Sequence, residues 1–271
     1  MNLDSKLKII VFSKDRPMQL DLFLKSFGKN CKDSRIADLS VLYQTSNEDF
    51  EEGYRQVAIE NSQHSYIKES NFYQNTLNLI ENHEQIIFAT DDTIWISEFN
   101  LVEPSKILAK DNDMIGFSFR LGTNIQYCYS LNQPQSIPNF ETVKKNIIRF
   151  CWTSGNLDFA YPLEISSSLF SLKNIKKCLN GKTFSNPNNL EDALASSLRL
   201  FLEKPFLGCY EQSVAFGNPL NDVAKHGNRF SQKEKFSSEE MLTKYQNGFR
   251  VNLDILDGFV PVAPHQEFEL Y

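Results

Sequence analysis

Residues 85–95, QIIFATDDTIW, restrict the fold more than any other stretch of the chain. Ile86, Ile87, Phe88 and Ala89 form an unbroken apolar run closed by turn-compatible residues, the pattern of a short strand buried on both faces. Such strands occupy the middle of mainly parallel sheets, and ligands bind beyond their carboxyl ends. Asp91 and Asp92 fall at that end. Two hard oxygen donors there suit Mg²⁺ or Mn²⁺, and such an ion suits a diphosphate. The competing reading is an ordinary turn, in which an Asp-Asp pair after a strand carries no chemistry.

The first half of the chain repeats a strand-then-helix pattern. Residues 8–13 are short, apolar and β-branched, and residues 18–27 place Leu20, Phe23, Leu24 and Phe27 on one helical face. Pro17 suits the first turn of that helix, where its missing N–H is not needed. Residues 39–43 predict a second strand, 50–59 a helix, 66–67 a short strand, and 72–80 the helix that delivers the chain to the Asp91 strand. Alternation of this kind argues for a parallel or mixed sheet with right-handed crossovers. Residues 114–119 and 150–152 predict further strands, 105–110 and 172–179 helices. Residues 123–139 form a polar, Pro-containing excursion able to cover a site. Leu194, Leu198 and Leu202 predict a helix from 190 to about 202, and residues 214–216 the last strand. Ser237 and Glu240 stand at capping-box spacing before a helix that Gly248 stops. The tail carrying Pro261, Pro264 and His265 is expected to lie extended over the domain.

With 271 residues, 41% of them hydrophobic and 23% charged, the chain can bury a large core, and its 22 Phe predict a Phe-rich one. A net charge of -6 argues against a broad nucleic-acid surface while leaving room for a nucleotide in a local pocket. Five scattered cysteines without a CxxC pair make a structural zinc site unexpected and fit free thiols in a reducing compartment. Residues 1–8 lack the apolar core of a secretory signal, and no apolar run has the length of a bilayer span. A cytoplasmic protein is the default expectation, and peripheral attachment to a membrane face is compatible with it.

Three further groups carry chemistry-bearing side chains. Lys14 and Arg16, in the loop after the first strand, could meet a phosphate or a base; a salt-bridged cap loop is the alternative. Glu191 and Asp192 would stand in the first turn of the 190–202 helix. There they either complement the macrodipole or hold a carboxylate near an acceptor hydroxyl. His226, in a polar loop, is either solvated or a metal or diphosphate ligand.

The order Val11-Phe12-Ser13-Lys14-Asp15-Arg16-Pro17, then Phe88-Ala89-Thr90-Asp91-Asp92, then Leu190-Glu191-Asp192 resembles the GT-A glycosyltransferases that use nucleotide sugars. Within them it looks most like the family-two inverting enzymes, and the opening also resembles the Arg-Pro start of the N-acetylglucosaminyltransferase I group. The resemblance covers the chain to about His226. It implies an α/β, Rossmann-like mixed and mainly parallel sheet flanked by helices. Residues 1–120 would form the nucleotide-sugar half, 121–235 the acceptor and catalytic half, and 236–271 a packed C-terminal helix and tail. Thr90-Asp91-Asp92 departs from the strict Asp-x-Asp form, since Thr90 replaces the first acid. The resemblance therefore assigns Asp92 to the metal, Mn²⁺ or Mg²⁺, and Asp91 to ribose or sugar. It assigns Asp192 as base and Glu191 as acceptor-binder or alternate base. Ser13, Lys14, Arg16, Ser46 and Asn47 would hold the nucleotide, and His226 would add a metal or diphosphate ligand. The implied partners are a nucleotide diphosphate sugar, UDP-linked by preference, and a glycan or glycolipid acceptor, as in surface-polysaccharide assembly. A sugar nucleotidyltransferase would need a Gly-rich loop after the first strand, which residues 13–17 lack. A non-catalytic binding module on the same fold is the remaining alternative.

Overall fold

The structure, a computed structural model, describes residues 6–221 and 237–270. The described chain opens with β1 (Leu7–Lys14), α1 (Pro17–Asn30), β2 (Ala37–Gln44), α2 (Glu48–Glu60), β3 (Ser65–Lys68), α3 (Phe72–Ile80) and β4 (Gln85–Thr90). Next come β5 (Thr93–Trp95), α4 (Val102–Lys110), β6 (Met114–Ser118), the short strands β7 (Tyr127–Cys128) and β8 (Gln133–Pro134), β9 (Phe140–Lys144) and β10 (Ile147–Cys151). It continues with β11 (Ser168–Ser171), α5 (Leu172–Leu179), α6 (Pro187–Ala195), β12 (Phe206–Tyr210), β13 (Ala215–Gly217) and α7 (Ser238–Gln246).

Nine strands form one sheet in the order β3-β2-β1-β4-β11-β6-β12-β10-β9. The pairs β3–β2, β2–β1, β1–β4 and β6–β12 are parallel, whereas β11 and β10 are antiparallel to both of their neighbours. Two strands thus run against the other seven, the mixed and mainly parallel arrangement expected from the sequence. Register fixes where the loops emerge. Phe12 stands level with Leu42 on one side and Thr90 on the other, so residues 13–16 and 91–92 leave the sheet at one edge. β4 is buried along its apolar run, as its composition requires.

Apolar layers cover both faces. One packs α1, α2 and α7 against the sheet and encloses Trp95, whose ring lies 4.5–6.1 Å from those of Phe23, Phe27, Phe99 and Phe119. The other packs α3, α5 and α6. Such aromatic clusters explain the abundance of Phe. Asn47, Asn71 and Asn186 cap α2, α3 and α6 through side-chain oxygens, and α7 starts in the expected Ser237–Glu240 capping box. Gly248, at φ +87°, ends the last turn after α7. All five cysteines are free, four of them buried. No helix among the described residues is long and apolar enough to cross a membrane.

Two elements differ from expectation. The helix predicted over 190–202 begins earlier and ends sooner, at Pro187 and Ala195. Asn186 caps it and Pro187 occupies its first position, a start that outcompetes the apolar period. It stops where the Ser196 and Ser197 hydroxyls donate back to the Ala193 carbonyl and the Lys182 ammonium joins the same carbonyl. Leu202 is consequently exposed rather than in register with Leu194. The 123–139 excursion contains the β7–β8 pair, and the following β9, for which the sequence predicts no element, forms a sheet edge.

Candidate active site

The carboxyl ends of β1 and β4, the residues after β6 and the start of α6 surround one cavity of about 760 Å³. Its floor is built from the residues that the register brings level. Ser13 Oγ donates to Asp91 Oδ2 at 2.7 Å and lies 2.5 Å from the Tyr54 hydroxyl. Arg16 Nη1 donates to Asp91 Oδ1 at 3.1 Å, while its Nε reaches Asn221 Oδ1 at 2.8 Å and its Nη2 the Asn221 carbonyl. Asp91 is 4% exposed, and burial pushes its carboxyl up to about 6 while Arg16 pulls it down. Both oxygens of Asp91 already accept hydrogen bonds from this floor, so its first role is to hold Ser13 and Arg16 in place. Asp15 enables the turn: it adopts φ +52° and its Oδ1 accepts the Ser46 N–H at 2.8 Å.

Asp92 is half-buried beside this floor, with Thr90 Oγ1 donating to its Oδ1 at 2.7 Å. Lys14 is exposed at the cavity wall beside Glu69, whose carboxyl burial pushes up while the Lys14 charge opposes the rise. Ser46 and Asn47 do not border the cavity. The Asn47 side chain is occupied as the α2 cap, 3.1 Å from the Phe50 N–H, so the strand-two end contributes Gln44 to the cavity instead.

On the opposite wall, Glu191 borders the cavity and Asp192 does not; Asp192 is exposed. The early start of α6 places both one turn inside the helix, so neither complements its first-turn dipole. Leu190, Ala193 and Leu194 are the buried side of that helix, which leaves Asp192 to solvent. Burial pushes the Glu191 carboxyl up to about 7, with the neighbouring Glu164 acting in the same direction. His226 lies outside the described residues.

Several residues of the site carried no readable signal. Arg120, 5% exposed, bridges Glu164 at 2.6 Å and His265 Nε2 at 2.9 Å. The last of these comes from the C-terminal tail, which returns along β13: Gly217 N–H donates to the Pro264 carbonyl at 2.8 Å, and Gln266 N–H to the Gly217 carbonyl at 2.9 Å. Burial, with the Arg120 charge, pushes His265 down to about 4, so at neutral pH it is an uncharged acceptor for Arg120. A Cβ at position 217 would lie 2.5 Å from His265 Nδ1. Gly217→Ala is therefore expected to displace the imidazole and cost about 1–3 kcal/mol in urea denaturation, an overpacking penalty. Unchanged stability would show that the tail is not seated there. Arg120 and Glu164 are 44 residues apart, and His265 stands in an irregular segment, so neither spacing nor period marks them.

No group of three His, Cys, Asp or Glu side chains poised to hold a metal occurs among the described residues. Asp92 alone, with His265 as its nearby imidazole, fits the weaker demand of a Mg²⁺-type ion, which takes one or two carboxylates and completes its shell with substrate phosphates and water.

No family model matches the chain. It is 31% identical over 253 residues to the bifunctional glycosyltransferase pgtA of Dictyostelium discoideum; the match covers 81% of this chain and 33% of pgtA. The chain thus spans about a third of that relative. The structure superposes on S. aureus TarS with a TM-score of 0.51 at 9% identity, over 78% of this chain and 36% of TarS. A second match, at a TM-score of 0.50 and 11% identity over 79% of this chain and 61% of the other, is TarS 1-349 in complex with UDP. The chain is thus a sequence relative of one third of a bifunctional glycosyltransferase and has the fold of TarS.

Proposed function

We propose that this chain is a metal-dependent, inverting glycosyltransferase that moves a sugar from a nucleoside diphosphate sugar to a hydroxyl of a glycan or glycolipid. One observation carries the proposal: a single cavity joins the Asp91–Asp92 strand end to the Glu191 carboxyl on the opposite wall. The complex of TarS 1-349 with UDP supports a nucleoside diphosphate in a fold of this kind. Lys14, Asp91 and Asp92 border the donor wall, Arg120, Asp158, Glu164 and Glu191 the acceptor wall, and the C-terminal tail closes the site through His265.

In this mechanism Asp92 would hold a Mg²⁺ or Mn²⁺ ion, which would supply neutralisation of the charge on the departing diphosphate. Lys14 borders the donor wall and supplies a positive charge for the nucleotide. Glu191 accepts the proton of the acceptor hydroxyl as its oxygen bonds to the anomeric carbon and the carbon–oxygen bond to the diphosphate breaks. With Glu191 as base and the diphosphate held at the strand end, attack opposite the leaving group would invert the anomeric centre. The raised affinity of Glu191 for protons suits this role, since a base works best when its pKa lies near the working pH.

The donor half is tested by titrating UDP and GDP in the presence of Mg²⁺ or Mn²⁺. Binding is expected to require the ion and to weaken at least ~10-fold, or about 1.4 kcal/mol, in Asp92→Ala. Equal binding by the variant would remove Asp92 from the donor site.

A further inference from the structure

The acceptor wall has a charge and a shape that restrict what can bind there. Three carboxylates, Asp158, Glu164 and Glu191, border this part of the cavity, against one cation, Arg120. Both terminal nitrogens of Arg120 are taken, Nη2 by Glu164 and Nη1 by His265 and the Pro264 carbonyl, and its Nε, which has no partner, is buried. Glu164 is also spent, since it accepts from Arg120, the Ser166 N–H and the Ser168 hydroxyl. Also lining the cavity are Asp158, Glu191 and the ring of Tyr161, which is 38% exposed and lies within electrostatic reach of Glu191.

Asp158 is held at the cavity wall by the excursion. Buried Gln135 donates to its Oδ2 at 2.9 Å and accepts its backbone N–H at 3.2 Å, while also reaching the Tyr127 carbonyl at 3.3 Å. The β7–β8 excursion thereby fixes an acid at the cavity wall with no cation beside it other than the already paired Arg120.

Resting on the transferase reading, we infer that the acceptor is an uncharged sugar whose ring lies on Tyr161 and whose hydroxyls donate to Asp158 and Glu191. A carboxylate accepts from hydroxyls in pairs, and an exposed aromatic face suits the C–H side of a sugar ring. A phosphate or uronate would meet carboxylates without a free cation and would be repelled. The excursion over 123–139 is then the element that selects neutral over anionic acceptors.

The experiment is ligand-observed NMR on the whole chain with Mg²⁺ and saturating UDP or GDP. Methyl glycosides of glucose, galactose, mannose and N-acetylglucosamine are compared with methyl glucuronide and glucose 1-phosphate. At least one neutral glycoside is expected to bind at least ~10-fold more tightly than both anionic ligands, and the gap to narrow as salt rises from about 0.05 to about 0.5 M. Tyr161→Ala should weaken the neutral ligand ~10-fold while leaving nucleotide binding intact, and Tyr161→Phe should restore it. Asp158→Asn should narrow the preference. An anionic ligand that binds as well as the neutral ones, or nucleotide binding with no neutral glycoside bound, overturns the inference and leaves the donor reading standing. Glycoside binding without nucleotide binding supports the acceptor site and instead sinks the transferase reading.

Discussion

Glu191→Gln is expected to lower kcat by about 10²–10⁴-fold, the typical contribution of a positioned general base, while leaving the donor KM nearly unchanged. Glutamine keeps the volume and the hydrogen bond from the Ile165 N–H but cannot take the acceptor proton. The pH profile gives a second signature. With Glu191 pushed up to about 7, the rate should fall about tenfold per unit below that pH, and the residual rate of the variant should lose this limb. Stability should move the opposite way. In the unfolded chain a Glu ionises near ~4.3, so the folded form binds the extra proton between there and about 7. The stability of the parent is therefore full below the unfolded value and declines as pH rises through 7. Glu191→Gln lacks this decline. The two melting temperatures should coincide near pH 4 and separate towards pH 8, with the variant higher. Asp192→Asn, at an exposed position outside the cavity, should retain transfer within a few fold by the surface-substitution rule. If Asp192→Asn is the inactive one and Glu191→Gln is active, the base is misassigned.

Arg16→Met should be the most destabilising substitution in the site, costing about 3–5 kcal/mol in urea denaturation at pH 8. Methionine fills much of the volume, so packing is largely kept. What is lost is the partner of Asp91, a carboxylate 4% exposed, together with the two bonds to Asn221. The loss should shrink at low pH. Burial already pushes Asp91 up to about 6, and without Arg16 it rises further, so near pH 5 the carboxyl is protonated in the folded variant and its burial costs little. Asp91→Asn should be milder, since Arg16 can still donate to the amide oxygen while the amide nitrogen donates to the Ser13 hydroxyl, which can also accept. A pH-independent loss, or none, would mean that the floor is not held by this pair.

How much of this was legible beforehand depends on the range of each interaction. The strands ending at Ser13 and Thr90, and the acids after the second, were readable because apolar runs and turn residues are local signals. Their register then brings Ser13, Arg16 and Asp91 together, as the motif order implies. The start of α6 was misplaced because Asn186-Pro187 is a stronger start than the Leu194, Leu198 and Leu202 period, and which of the two adjacent acids borders the cavity is set by the packed side of that helix, Leu190, Ala193 and Leu194. Asn47 was readable as a strand-end polar residue, but its local capping bond competes with any ligand. Arg120, Glu164, Asp158 and His265 were not legible at all. They meet through long-range packing and a returning tail, and nothing within ten residues of any of them announces the partner.

The central claim is transfer from a nucleoside diphosphate sugar with inversion. Purified chain with Mg²⁺ or Mn²⁺ should be incubated with UDP- and GDP-sugars and neutral glycoside acceptors, with nucleoside diphosphate release and the anomeric proton coupling followed by NMR. Ion-dependent release, a new glycoside of inverted anomeric configuration, and loss of both in Glu191→Gln are the predicted results. Turnover with retained configuration, or full turnover by Glu191→Gln, would contradict the account.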